Sequence, residues 1–294
     1  MTENLENIKV QPLPSFSAKA VPVDIVRLDL LHPVVSGNKW FKLKYYIEDA
    51  LSKNKNTIAT FGGAYSNHIV ATAFTAKEAG LKSVGFIRGE RPQNLSRTLL
   101  DAASYGMDLV FLERDSYRDK VTIIQAENKE EFYWIMEGGY GELGSKGAAD
   151  ILQITDAQNY SHILCAVGTG TMISGLINAS LPEQEIIGIS VLKNNTGIEK
   201  QVLSLLKEPK PFSILHDYHF GGYAKHPPEL IGFMHDIWSV EHVPTDIVYT
   251  SKLLFAAKDL VTRDHFPEEA RILLIHSGGL QGNTSLPPNT LPFS

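Results

Sequence analysis

The chain predicts an α/β fold organised around parallel sheets, and three observations carry that reading. Short apolar, β-branched runs alternate with longer segments of helical periodicity, the pattern of repeated β–α units. Several of those runs end in glycines and small polar residues, and a helical segment usually follows at once. With 294 residues and 43% hydrophobic content, the chain can bury a large core as one large domain or two smaller ones.

In chain order the expected strands are Asp24–Leu28, Thr57–Phe61, Ser83–Ile87, Asp108–Leu112, Ile163–Val167, Glu185–Ile189 and Arg271–Ile275. Helical patterns cover Lys42–Ser52, Asn67–Ala79, Asn94–Tyr105, Gly147–Ala157, Thr171–Ala179 and Tyr249–Thr262. The first sets Leu43, Tyr46, Ile47 and Leu51 against Lys44, Glu48 and Lys53, an amphipathic arrangement. Residues 52–150 hold several β–α alternations and read as a smaller domain inserted into a larger one made of 1–51 and 151–294. The glycine-rich stretch Glu137–Gly144 reads as a flexible site margin or a crossover, and Asn283–Ser294 as a tail that packs little.

Bulk properties exclude several classes. A net charge of -6 gives no electrostatic footprint for nucleic acid or an anionic membrane. No apolar run approaches the roughly 20 residues of a membrane span. Met1–Val10 is polar and acidic, unlike a signal peptide. Cys165 is the only cysteine, so no intrachain disulfide forms, which suits a reducing cytoplasm. It lies in an apolar run and reads as a buried strand residue rather than a nucleophile. No His-Glu-x-x-His or clustered Cys/His pattern calls for a metal.

Four loops carry the chemistry. In the first, Ser36-Gly37-Asn38-Lys39-Trp40-Phe41-Lys42-Leu43, one lysine follows a Gly-Asn turn signal and a second comes one helical turn later. A lysine at such a loop-to-helix junction is placed to bind an aldehyde cofactor covalently, and Lys42 with the helix N-terminus to hold that cofactor's phosphate. The second, Phe61-Gly62-Gly63-Ala64-Tyr65-Ser66-Asn67-His68, offers a hydroxyl and an amide at a helix start; Ser66 or Asn67 alternatively caps the helix. The third, Gly168-Thr169-Gly170-Thr171-Met172, reads as a phosphate cradle that is neither the dinucleotide nor the P-loop pattern. The fourth is His276-Ser277-Gly278-Gly279, where Ser277 either donates to a bound ring or caps a turn. No Gly-x-Ser-x-Gly nucleophile elbow surrounds Ser66 or Ser277, which sets a serine hydrolase aside. In open α/β sheets ligands bind at the carboxyl ends of strands, so these loops are expected to converge.

Taken together, the loops resemble the fold type II pyridoxal-phosphate (PLP) enzymes, the tryptophan synthase β-like group. Within it they look most like the family of 1-aminocyclopropane-1-carboxylate (ACC) deaminase and D-cysteine desulfhydrase. The first loop matches that family's G-N-K-x-R-K-L with Phe41 for arginine, and the second its G-G-x-x-S-N-H. The third resembles its phosphate loop, which often reads G-S-G-G-T. Tyr218–Tyr223 resembles its Gly-Tyr element, and Asp246–Lys252 its D-P-V-Y-[TE]-G-K with Ile247 and Ser251 as departures. The fourth loop resembles its H-[TL]-G-G, and the matches run in order over nearly the whole chain.

The resemblance implies two three-layer α/β domains, each with a mostly parallel sheet, and an active site in the cleft between them. It implies PLP as cofactor, with Lys39 its covalent anchor and later the carrier of the α-proton. Lys42 and the loop Gly168, Thr169, Gly170, Thr171 and Met172 would hold the phosphate. Asn67 would bond the phenolic oxygen, Ser66 would bind the substrate carboxylate or assist proton transfer, and Tyr223 and Tyr249 would flank the substrate. A homodimer acting on a small amino acid is also implied. In ACC deaminases the residue after the second tyrosine is glutamate, facing the ring nitrogen, and the residue after the last histidine is leucine. Here Thr250 and Ser277 stand there, as in the desulfhydrase branch. The expected reaction is α,β-elimination from D-cysteine or a β-substituted D-alanine; ACC deamination and a PLP-binding protein without turnover are the alternatives.

Overall fold

The computed structural model describes residues 5–17, 21–127 and 129–293. In chain order its strands are β1 (Val10–Pro12), β2 (Val23–Arg27), β3 (Thr57–Gly62), β4 (Lys82–Arg88), β5 (Met107–Leu112), β6 (Phe132–Ile135), β7 (His162–Val167), β8 (Glu185–Ser190), β9 (Ser213–Leu215) and β10 (Ile272–His276). The helices are α1 (Asn38–Ser52), α2 (Asn67–Glu78), α3 (Arg97–Ser104), α4 (Lys120–Ala126), α5 (Glu142–Gln153), α6 (Thr171–Ala179), α7 (Ile198–Leu203), α8 (Pro228–Glu241) and α9 (Thr250–Thr262).

Two sheets result. The larger runs β1-β2-β10-β7-β8-β9 and is parallel except for the antiparallel edge pair β1–β2. The smaller, β5-β4-β3-β6, is parallel throughout. The central strands of the larger sheet are apolar on both faces because helices cover both. Along β7, Ile163, Cys165 and Val167 join the core cluster that includes α1, α5 and α6, whereas Leu164 and Ala166 join the one that includes α9. Cys165 is fully buried there, and burial pushes its thiol up to about 12, as a structural residue requires.

All seven expected strands form. The short β1 and β9, the aromatic β6 and the helices α4, α7 and α8 were not expected; three- and four-residue strands are too brief to show periodicity. The glycine-rich stretch is a tight crossover: a turn over Glu137–Gly139 leads into α5, which starts at Glu142 rather than Gly147. Gly147 lies inside that helix because α1 crosses it there. A Cβ at 147 would sit 1.9 Å from the Phe41 carbonyl oxygen.

The C-terminal residues also correct an expectation, for they pack. Leu291 is buried against Met234, Ile247 and Val248, and Asn283 bonds the Ile247 N–H (3.1 Å) and the Thr245 carbonyl (2.9 Å). Residues 1–4 and 294, parts of the predicted terminal segments, lie outside the described residues. Among the described residues no helix is long and apolar enough to cross a membrane, and no group of three or more His, Cys, Asp or Glu residues could hold a metal.

Candidate active site

Strands β3, β7 and β10 end in the second, third and fourth loops, and β2 leads to the first through residues 28–37. All four loops line one cavity, whose wall includes Lys39, Lys42, Asn67, Gly168, Tyr249 and Ser277.

α1 begins at Asn38 rather than Lys42, so Lys39 and Lys42 both stand on the helix, one turn apart and on the cavity side. Gly37 sets that start with φ 64 and ψ −145, and a Cβ there would lie 1.7 Å from the Ser277 carbonyl oxygen. The close approach lets the Asn38 N–H donate to that carbonyl (3.0 Å) and the Gly279 N–H donate to Ser36 Oγ (3.0 Å). The first and fourth loops are thereby knit together by one backbone–backbone and one backbone–side-chain bond.

Lys39 Nζ donates to Asn38 Oδ1 (2.9 Å), and Asn38 Nδ2 reaches Met172 Sδ (3.4 Å). Burial pulls the Lys39 ammonium down to about 8, while the Asp246 carboxylate resists the shift. At pH 7 about a tenth of Lys39 is then neutral and nucleophilic, against about one part in three thousand for an ordinary lysine. Lys42 is 3% exposed, and among the described residues its Nζ has only the Gly138 carbonyl, at 3.5 Å. Burial first and repulsion from Lys39 second hold its ammonium well below the usual lysine range, with Cys165 opposing. A buried ammonium with no carboxylate beside it among the described residues is a seat for an anion.

The helix end that opens on the cavity belongs to α6. Gly170 precedes it in the left-handed region (φ 78), and no side chain caps it. Its first N–H groups therefore stay free beside Gly168, Thr169, Gly170 and Met172, which line the cavity. Thr171 is fully buried and off the wall, its hydroxyl bonded to that of Thr169 (3.1 Å).

The second loop does not use its polar side chains as caps. Ser66 precedes α2, yet its hydroxyl caps nothing. Asn67 donates from Nδ2 to the Gly279 carbonyl (2.7 Å) and leaves Oδ1 buried without a partner. His68 is structural: the Thr60 hydroxyl donates to the Ile135 carbonyl (2.8 Å), so it must accept from His68 Nε2–H (2.8 Å). Burial, then Lys39 and Lys42, keep that imidazole neutral.

Tyr249 lines the cavity, and Tyr223 meets its ring nearly edge-on at 6.4 Å while remaining 45% exposed. Burial raises both phenols above the usual range, Tyr249 strongly, so both stay protonated at neutral pH. Ser277 lines the cavity; Thr250 does not. The Thr250 hydroxyl donates to Asp246 Oδ1 (2.7 Å) and accepts from the Asp246 N–H (2.7 Å). Asp246 opens the motif read in the sequence, but sequence reasoning gave it no role. Its buried carboxylate accepts from the N–H groups of Val248 (2.8 Å), Tyr249 (3.0 Å) and Thr250 (2.8 Å), capping α9. An aspartate a few residues ahead of a helical pattern was the available signal. Asn38, hidden inside the lysine motif, is the other such residue.

These residues suit a small aldehyde that carries a phosphate and a phenolic oxygen. The partnerless Asn67 Oδ1, the unpaired Lys42 ammonium and the uncapped α6 end are polar groups that such a molecule would satisfy. The architecture and the cavity thus define a class of proteins built around a lysine-anchored phosphorylated aldehyde.

Comparison with known proteins narrows the class. The sequence pattern of the pyridoxal-phosphate dependent enzymes matches residues 2–278. A Thermotoga maritima protein provisionally named 1-aminocyclopropane-1-carboxylate deaminase is 32% identical over 95% of this chain and 96% of its own. D-cysteine desulfhydrase of Klebsiella pneumoniae subsp. pneumoniae is 27% identical over 87% of this chain and 86% of its own. The crystal structure of an ACC deaminase homologue superimposes with a TM-score of 0.80 at 26% identity, covering 94% of this chain and 90% of that one. The chain belongs to the fold type II PLP-dependent enzymes, in the family of ACC deaminase and D-cysteine desulfhydrase, and its cofactor is pyridoxal 5′-phosphate.

Proposed function

We propose that the protein catalyses α,β-elimination from D-cysteine or a β-substituted D-alanine, giving, for D-cysteine and one water, pyruvate, ammonia and hydrogen sulfide. One observation carries the choice: among the described residues no acidic side chain lines the cavity, and Ser277, a neutral hydroxyl, stands on its wall. A carboxylate beside the ring nitrogen would favour its protonation and a stronger electron sink, which opening a cyclopropane ring calls for and expelling hydrosulfide does not. At position 250 what counts is the absence of a carboxylate, since Asp246 engages the threonine hydroxyl.

PLP, when bound, supplies a sink for the electrons left at the substrate's α-carbon. Lys39 would anchor it and, as the neutral amine, would accept the α-proton at Nζ; burial, which lowers its ammonium to about 8, suits it to both tasks. Lys42, Gly168, Thr169 and Gly170 hold the phosphate together with the first N–H groups of α6, those of Thr171 and Met172; the Thr171 side chain itself is off the cavity wall. Asn67 answers the phenolic oxygen. Ser66 and the α2 N-terminus receive the substrate carboxylate, helped by a hydroxyl that caps nothing. Tyr249 and Tyr223 flank the substrate as protonated phenols. In this reading 1–51 with 151–294 form the cofactor-binding domain and 52–150 the smaller one, and the enzyme works as a cytoplasmic homodimer.

The names of the more similar relatives favour a second reading: ACC deamination, which releases 2-oxobutyrate. Oxoacid release from purified holoenzyme separates the two. Pyruvate from D-cysteine or β-chloro-D-alanine is expected, with little 2-oxobutyrate from ACC; faster 2-oxobutyrate release would reverse the assignment.

A further inference from the structure

Residues 218–226 link β9 to α8 as a strap of unusual backbone. Phe220 (φ 52), Gly221 (φ 92), Gly222 (φ 124) and Ala224 (φ 54) all have positive φ, and for Phe220 and Ala224 that conformation is unfavourable. The strap turns the carbonyls of His219 and Gly222 inward onto a single group, Lys252 Nζ, at 3.0 and 2.7 Å. Lys252 sits on α9, three residues after Tyr249, and is 0% exposed.

The root of the strap is tied separately, by Tyr218 Oη donating to Asp259 (2.7 Å) and by Phe220 edge-on to Phe255. Its other backbone bonds are internal, from Gly221 N–H to His219 Nδ1, Gly222 N–H to the His219 carbonyl, and Lys225 N–H to the Gly222 carbonyl. Among the described residues, Lys252 is the one group outside the strap that hydrogen-bonds the backbone of 219–224.

Burying an ammonium is costly, and burial pulls this one down to about 8, with Asp246 the charge that resists. A methionine would fill the same space without that cost. Each of the two carbonyls keeps one N–H partner inside the strap, so what a methionine cannot do is tie both of them to α9.

We propose that Lys252 is a positioning residue for Tyr223: it clamps the strap so that the Tyr223 phenol stands against Tyr249 at the mouth of the cavity. The assignment of a clamp rests on the geometry, and its consequence for turnover rests on the reading of Tyr223 as a residue flanking the substrate. Lys252 is one helical turn from Tyr249, so a single helix, α9, sets both tyrosines: one directly and one through the ammonium.

Two readouts on the holoenzyme test this. The first needs no turnover: 3-fluorotyrosine placed at 223 and, separately, at 249, observed by fluorine NMR. In Lys252→Met the 223 resonance should move toward that of the free amino acid while the 249 resonance and the cofactor band hold. An unchanged 223 resonance overturns the clamp. The second is a double-mutant cycle on kcat/KM. Lys252→Met and Tyr223→Phe should each lose about 10- to 100-fold, and the double variant should lose no more than the worse single. Losses that multiply overturn the action through Tyr223. Should Lys252→Met not fold, Lys252→Gln, which keeps an N–H donor without the charge, takes its place with a partial shift expected and none overturning. Wild type that releases no oxoacid from any amino acid counts against the elimination reading alone, and the fluorine spectra still judge the clamp.

Discussion

Gly37→Ala is the sharpest perturbation this fold offers. The residue has φ 64 and ψ −145, and the added methyl would sit 1.7 Å from the Ser277 oxygen and 2.3 Å from its carbonyl carbon. An ordinary carbon–oxygen contact needs about twice that separation, so the first and fourth loops must part by more than an ångström. The disallowed backbone costs about 1–3 kcal/mol and forced overpacking a further 1–3, which sets the expected loss at about 2–6 kcal/mol. The separation also breaks the Asn38–Ser277 bond and tilts the start of α1, which carries Lys39. Thermal unfolding of the cofactor-free protein measures the first effect, and the visible PLP band after dialysis the second. Gly232→Ala is the control: it lies inside α8 with open space around it, and it should stabilise by about 0.5–1 kcal/mol. Gly37→Ala that melts within 1 kcal/mol of wild type and keeps its colour would refute the argument that this glycine joins two loops by close approach.

Lys42→Met removes a buried, unpaired ammonium. Cofactor-free stability should hold or rise, while PLP affinity, read by fluorescence titration, should fall about 10- to 100-fold through loss of a charge-assisted phosphate bond; unchanged affinity would remove Lys42 from the phosphate seat. The pH dependence of the cofactor-free protein follows from Lys39, whose folded value of about 8 lies below the ordinary 10.5. Between these values the unfolded chain holds a proton that the native state has released, so stability rises with pH across that window, by up to about 3 kcal/mol. Below pH 8 both states are charged and the full burial cost is present. Urea melts at pH 7.5 and 10 should show the rise in wild type and a smaller one in Lys39→Met; equal rises would contradict the buried ammonium.

Much of the larger sheet was legible because β7, β8 and β10 each hold an unbroken apolar run (163–167, 186–189 and 272–275), the pattern that burial on both faces leaves. β6 and α8 were not. β6 is four residues long, and its aromatic side chains take their places from the cores of the smaller sheet, while α8 opens on Pro227-Pro228 and contains Gly232. At the site, Lys39, Asn67 and Ser277 could be read because each sits in a short segment whose residue types announce a loop before or after a helix. Thr250 could not. Its position in the motif is local information, but the direction of its hydroxyl depends on Asp246, which folds back over the start of α9 and engages it.

The sequence by itself determined the α/β class and pointed to the loops that line the cavity and to the lysine proposed as the cofactor's anchor. Those properties rest on neighbours within a few residues: hydrophobic period, glycine before a helix, lysines one turn apart. Only the tertiary structure decided which helix end opens on the cavity, that α1 starts early enough to carry both lysines, that the last residues pack, and that Lys252 reaches the strap before Tyr223. Each of these is a contact between segments far apart in the chain. Such contacts are set by packing and by the need to satisfy buried polar groups, and no local pattern encodes them.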